Sequence, residues 1–245
     1  ETVVDRIARH LKKDSAEIRR KNFYGLDSNN VTHYGETVES NRLFTIYDQL
    51  VKSSDYMQRR KEINEFNAVN EFYKKGLALT PVKFGISFTT TFLNQAGALV
   101  NVYKDGTILV NHGGTEMGQG LHTKMQQVAA AEFGVGLGRV KVNATNTSKV
   151  PNTSATAASA GADLNGMAIK NAVDKLKSRI AEAMAFVFTE KHPNPPTNKQ
   201  DIAFQNDMIF DLMHPERKTA FADAMPLMQL RQVSLSATGY YKTPG

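Results

Sequence analysis

The 245-residue sequence contains no cysteine. That excludes disulfides, cysteine-ligated zinc and cysteine-held iron–sulfur clusters within the chain. It also lacks any apolar run approaching the roughly 20 residues that a membrane helix needs, so the chain reads as soluble, with no membrane partner, and is expected in the cytoplasm. The opening Glu1-Thr-Val-Val-Asp-Arg6 has neither a methionine nor a basic-then-apolar signal segment, and Tyr240 to Gly245 stops on turn residues after a strand pattern. Both ends are therefore expected to be cut from a longer chain. The six histidines form no set at metal-ligand spacing. Ser87 and Ser154 lack the surroundings of a nucleophile elbow.

Charge of one sign is in modest excess, with 30 lysines and arginines against 24 acidic residues. A nucleic-acid reading would need the basic residues gathered on one face among aromatic platforms. Here Lys12-Lys13, Arg19-Arg20-Lys21 and Arg59-Arg60-Lys61 are scattered among acidic residues on helical patterns, which is the arrangement of solvated helix surface. Apolar residues at 41% and charged residues at 22% match an ordinary globular protein long enough to bury a core.

Periodicity divides the chain into a mainly helical segment, 1–75, an α+β core, 76–190, and a C-terminal α+β segment, 191–245. In the first, Asp14-Ser-Ala-Glu17 has capping-box spacing, and Met57, Ile63, Phe66, Val69 and Phe72 recur at helical intervals over residues 54–75. Residues 77–92 are rich in Thr, Val, Phe and Ile and predict strand, with Phe84, Phe88 and Phe92 on one sheet face. Asp105-Gly106 predicts a two-residue hairpin turn, which sets Tyr103 opposite Ile108 and Val102 opposite Leu109. A helix over 121–133, a strand over 139–144 and a long helix carrying Ile169, Val173, Leu176, Ile180, Met184 and Val187 follow. The proline-rich stretch 192–197 must be loop, and beyond it come a strand, a helix near 222–230 and a last strand at 232–241. The fold class is α+β, with mixed sheets packed against helices and no internal repeat.

Two small-residue loops stand out. Gly113-Gly-Thr-Glu-Met-Gly-Gln-Gly120 has four glycines in eight residues between a strand and a helix. Such a loop admits a ligand close to the backbone, and the helix start offers unpaired amides that suit phosphate. A glycine-rich connection without a ligand explains it equally well. The dinucleotide fingerprint fails because Thr123 stands where the third glycine should be, and no Gly-Lys-Ser/Thr ending marks a P-loop. Residues 153–162 are all Thr, Ser, Ala or Gly, which fits a packed or ligand-lined loop better than a flexible tether. The residues alone imply a soluble α+β piece with two loops suited to a ligand, and no particular reaction.

Taken in order, Lys83-Phe-Gly-Ile-Ser-Phe88, Phe92-Leu-Asn-Gln-Ala-Gly97, the block from Gly113 to Lys124 and Val150-Pro-Asn-Thr-Ser-Ala-Thr-Ala-Ala-Ser159 resemble the molybdenum hydroxylase family. Within it they are similar to the molybdenum-binding part of xanthine dehydrogenases of bacterial type, as is Val31-Thr-His-Tyr-Gly-Glu-Thr-Val38. The resemblance covers essentially the whole chain and implies an enzyme that oxidises hypoxanthine and xanthine to urate with oxygen from water. It implies a molybdenum–molybdopterin cofactor, with iron–sulfur clusters and FAD on another subunit or a missing region, and a homo-oligomer of heterodimers. On that resemblance Gln119 and Ala158 lie near the molybdenum without ligating it. The Gly118 backbone lies beside the cofactor, Ala157 and Ala158 border metal and substrate, and Thr156 and Ser159 help hold the pterin and its phosphate. Phe88 stacks on the purine and Thr89 faces it. The catalytic glutamate, the second phenylalanine and the other substrate-binding residues fall outside the chain, so the fragment is expected to be inactive alone. Gly161 replaces a hydroxyl that some relatives carry. Aldehydes or other N-heterocycles as substrates, and a non-catalytic scaffold, are the alternatives.

Overall fold

Between Phe84 and Gly85 the chain divides into two compact units. The structure, a computed structural model, describes residues 1–150 and 152–244; Pro151, inside the last of the resembling blocks, and Gly245 lie outside the described residues.

The first unit holds four helices, α1 (Thr2–His10), α2 (Ser15–Lys21), α3 (Leu43–Ser53) and α4 (Tyr56–Val69). Asp14 caps α2 as its position predicts: one oxygen accepts from the Ala16 amide at 2.8 Å and from the Tyr56 hydroxyl at 2.9 Å. The other accepts from Arg60 at 3.0 Å, so the cap also ties α2 to α4. The reciprocal half of the capping box is replaced by ion pairs of Glu17 with Lys13 and Lys21. Helix α4 stops at Val69, short of residue 75. Met57, Val69 and Phe72 remain exposed, so the expected apolar stripe is not a buried face.

The predicted strand over 77–92 does not form; the segment is irregular and ends in a short 3₁₀ turn, Thr91–Leu93. Strand propensity is expressed only where a ladder is available. The strand that follows, β1 (Gln95–Val102), has both sides taken, by β2 (Ile108–His112) and by β7 (Ser236–Lys242). The shared phenylalanine face is lost as well, since Phe84 and Phe92 are exposed and Phe88 is half-buried.

In the second unit, the four-stranded sheet runs β3–β2–β1–β7, where β3 is Val140–Val142 and pairs parallel to β2. Helices α5 (Leu121–Phe133) and α6 (Gly161–Lys191) pack on it and on each other. A three-stranded antiparallel sheet, β4 (Ile202–Gln205), β5 (Met208–Asp211) and β6 (Lys218–Ala220), leads into α7 (Phe221–Leu230). The predicted stripe of α6 is buried throughout, with Ile169, Val173, Leu176, Ile180 and Met184 all at 0% exposure. On α5, Leu121 and Met125 are buried as expected, joined by Ala129, Ala130 and Phe133.

The hairpin forms around Asp105-Gly106 with a register one residue away from the expected one. Val102 pairs with Ile108 and Asn101 with Leu109, because the loop holds three residues. The Gly106 amide donates to the Tyr103 carbonyl at 2.9 Å and the Tyr103 amide donates to the Thr107 carbonyl at 2.8 Å. Gly106 sits at φ +79°, the left-handed position that closes a three-residue loop. Asp105 accepts from the Thr107 amide and hydroxyl, which holds the longer turn. This register puts Val100, Val102, Ile108 and Val110 on the buried face, whereas the two-residue turn would have paired Val102 with the half-buried Leu109.

Candidate functional site

Strand β2 ends at His112, and the glycine doublet Gly113-Gly114 turns the chain away from the sheet. A β-carbon at Gly113 would lie 2.2–2.4 Å from the Thr153 side chain, and one at Gly114 would lie 2.5 Å from Leu121. These two glycines therefore let the two small-residue loops pack against each other. Gly118 and Gly120 differ: they meet nothing within 4 Å and adopt φ of +96° and +74°. The Thr115 amide donates to the Thr156 hydroxyl at 2.8 Å, which joins the loops directly.

Between the loops lies a cavity of about 460 Å³ lined by Met117, Gln119, Leu121, Lys124, the run Thr156 to Ser159, Gly161 and Ala162. Gln119, Thr156, Ala157, Ala158 and Ser159, singled out from sequence, thus share one wall. Gly118 belongs to the adjoining turn and is not part of the lining. Phe88 and Thr89 also stand outside it. Their segment is nevertheless tethered to the wall, because the Ser87 amide donates to the Ala158 carbonyl at 3.0 Å. The buried Asn94 fixes Phe88, accepting from its amide and donating to its carbonyl, both at 2.8 Å. Ala158 and Ser159 hold left-handed backbone, φ +51° and +55°, an arrangement that costs a non-glycine residue about 1–2 kcal/mol.

One expectation is overturned in part. Two of the amides at the α5 N-terminus read from sequence as free for phosphate, those of Gly120 and His122, are already bonded. One Glu116 carboxylate oxygen accepts from the Gly118 amide at 2.9 Å and the Gly120 amide at 3.0 Å. Its partner oxygen accepts from the His122 amide at 3.0 Å. These bonds, that of His122 foremost, hold the Glu116 carboxyl below its usual pKa. Sequence reasoning passed over Glu116, although an acidic residue next to a helix start is the signal for it. Lys124 was missed too; it is the cation of the cavity lining.

Behind the loop, His112 and His122 meet edge to face, their ring centroids 5.1 Å apart. His112 is 2% exposed, and its Nδ1 accepts from the Gly114 amide at 3.1 Å. Burial, reinforced by the neighbouring His122 and opposed by Glu116, pushes its pKa down to about 4. The unfolded chain takes up this proton near pH 6.5 and the folded chain only near 4. The associated stability is thus fully present above pH 6.5 and is lost as pH falls toward 4, about 3 kcal/mol in all. Denaturation of wild type and His112→Gln between pH 7 and 4.5 should show this acid slope in the wild type and a flatter one in the variant. Equal slopes would refute it.

The lining suits an anionic group rich in hydrogen-bond acceptors. Alanines and glycine let a ligand approach the backbone, while Lys124, the Gln119 amide and the Thr156 and Ser159 hydroxyls can supply donors. Among the described residues no group of three or more His, Cys, Asp or Glu could hold a metal ion. No described helix is long and apolar enough to cross a membrane.

Comparison with known proteins identifies the family of the chain. The family model "Molybdopterin cofactor-binding domain" matches residues 49–245. A xanthine dehydrogenase of Emericella nidulans is 42% identical over 244 residues, all of this chain and 16% of that protein. A xanthine dehydrogenase/oxidase of Rattus norvegicus is 42% identical over 228 residues, 93% of this chain and 15% of that protein. The chain thus spans about one sixth of the length of these relatives. A quinoline 2-oxidoreductase from Pseudomonas putida 86 shares the fold with TM-score 0.76 at 20% identity, covering 99% of this chain and 32% of its own. The family match over most of the sequence shows that this chain belongs to the molybdopterin cofactor-binding domain family.

Proposed function

We propose that this chain forms the cofactor-facing wall of a molybdenum-dependent hydroxylase that converts hypoxanthine and xanthine to urate. The observation that carries the reading is the convergence of Gln119 with Thr156 to Ser159 on one cavity, in a chain whose relatives are xanthine dehydrogenases. The reaction replaces a ring C–H by C–OH with oxygen from water, and two electrons and two protons leave. When bound, the molybdenum of the pterin supplies the oxidising power and the oxygen transfer.

This chain's own residues bind and orient. Lys124, Thr156 and Ser159 hold the pterin and its phosphate by charge-assisted and hydroxyl hydrogen bonds. Gln119 stands beside the metal without ligating it, with the Gly118 backbone next to it. Ala157 and Ala158 keep the approach to metal and substrate open. Phe88 offers its ring face to the purine and Thr89 its hydroxyl, which orients a flat substrate. Gly161 forgoes one hydroxyl contact to the cofactor. The catalytic glutamate lies outside the chain, which is inactive alone. Electrons pass to iron–sulfur clusters and FAD on another subunit or region, in a homo-oligomer of heterodimers in the cytoplasm.

The test uses the full-length enzyme. Metal analysis should find molybdenum, and hypoxanthine and xanthine should each reduce an electron acceptor. Absence of both molybdenum and turnover would refute the reading, and turnover of aldehydes or quinoline in preference to purines would move it to another hydroxylase. That second outcome is kept because one solved protein of this fold is a quinoline 2-oxidoreductase.

A further inference from the structure

We infer that Glu116 is a positioning residue for this site: its carboxylate locks the turn that presents Gln119. The three amides it accepts belong to Gly118, Gly120 and His122, so they bracket Gln119 on both sides. Gln119 is in turn closed onto the same turn. Its Oε1 accepts from the Met117 amide at 2.6 Å and its Nε2 donates to the Thr115 carbonyl at 2.9 Å.

Without a counter-anion this segment would be loose. Gly118 and Gly120 carry no side chain to pack, meet nothing within 4 Å and sit at positive φ, so packing does not specify their conformation. A carboxylate at the start of α5 supplies what packing does not: charge-assisted hydrogen bonds to three amides and a favourable place in the helix field. It follows that the anionic part of a ligand in this cavity does not meet the Gly118, Gly120 and His122 amides, which Glu116 already takes. This inference deepens the hydroxylase reading and rests on it for its kinetic consequence; the hold on the loop stands on the geometry alone.

The experiment compares Glu116→Ala, Glu116→Gln, Gln119→Ala and the double variant Glu116→Ala/Gln119→Ala in the full-length enzyme. Hydrogen exchange of the peptide covering residues 115–122 should accelerate roughly tenfold in Glu116→Ala. It should accelerate less in Glu116→Gln, which keeps one acceptor oxygen. In Glu116→Ala, kcat should fall roughly tenfold or more while KM for xanthine stays within about twofold. On the Gln119→Ala background the same change should add almost nothing to the kcat loss, because Glu116 acts through Gln119. Unchanged exchange in the alanine variant overturns the inference, as does a kcat loss that adds in full to that of Gln119→Ala. If Glu116→Ala does not fold, the intermediate exchange of Glu116→Gln decides. A wild-type enzyme without molybdenum or turnover instead defeats the hydroxylase reading, and the exchange result still decides whether Glu116 holds the loop.

Discussion

Substituting Ala158→Leu in the full-length enzyme is expected to abolish turnover without unfolding the protein. Ala158 lines the cavity between the two small-residue loops, so a leucine there projects into the volume that the proposed function assigns to cofactor and substrate. The backbone already sits at φ +51°, so the strain of that conformation is present in the wild type and the larger side chain adds little to it. Alanine is only half-buried at this position, which leaves leucine an open side and spares the core. The control is Ala158→Gly, which relieves about 1 kcal/mol of left-handed strain and leaves the cavity open. It should keep turnover and stability. Steady-state oxidation of xanthine, read beside thermal midpoints, separates the cases, and wild-type rates in the leucine variant would sink the site assignment.

The second large effect falls on stability. Gly239 lies in the middle of β7, opposite Ala98 on β1, under helix α6. A β-carbon there would approach the Ala168 carbonyl oxygen to 1.9 Å and the Ala172 nitrogen to 2.7 Å. Both atoms are backbone of a 31-residue helix, so no rotamer change relieves the overlap and the helix must lift from the sheet. Gly239→Ala is expected to cost about 3 kcal/mol, the upper end of the usual overpacking range. For a unit of this size that lowers the thermal midpoint by roughly 6–12 °C. A midpoint unchanged from wild type would show that α6 can move off β7 freely. The contact also explains why α6 carries alanine at 168 and 172, both at 0% exposure: helix and strand approach so closely that only small residues fit between them.

How far each feature could be read ahead of the structure follows from how local its cause is. Helix α5 runs from Leu121 to Phe133 as its pattern predicts, with Gly120 and Gly134 in left-handed conformation at its two ends. The stripe of α6 and the loop at 192–197 were equally legible. All three depend on residues within a few positions of one another. The Asp105-Gly106 turn was legible too, but its register was not. Whether the loop holds two residues or three depends on which apolar residues the rest of the fold buries, and the side-chain grip of Asp105 on Thr107 favoured the longer one. Residues 77–92 have the composition of a strand but find no ladder, because β2 and β7 already flank β1.

The candidate site divides in the same way. The sequence by itself determined that residues 113–120 and 153–162 are small-residue loops with hydroxyl and amide donors, and its ordered blocks resembled the molybdenum hydroxylases. Only the tertiary structure decided that Gln119 and the run from Thr156 to Ser159 share one cavity, that Phe88 and Thr89 stand outside its lining, and that the Gly118, Gly120 and His122 amides are taken by Glu116. The reason is physical. Composition and spacing act along the chain, whereas a cavity wall, a paired amide and a close helix–strand contact exist only once distant segments are packed together through space.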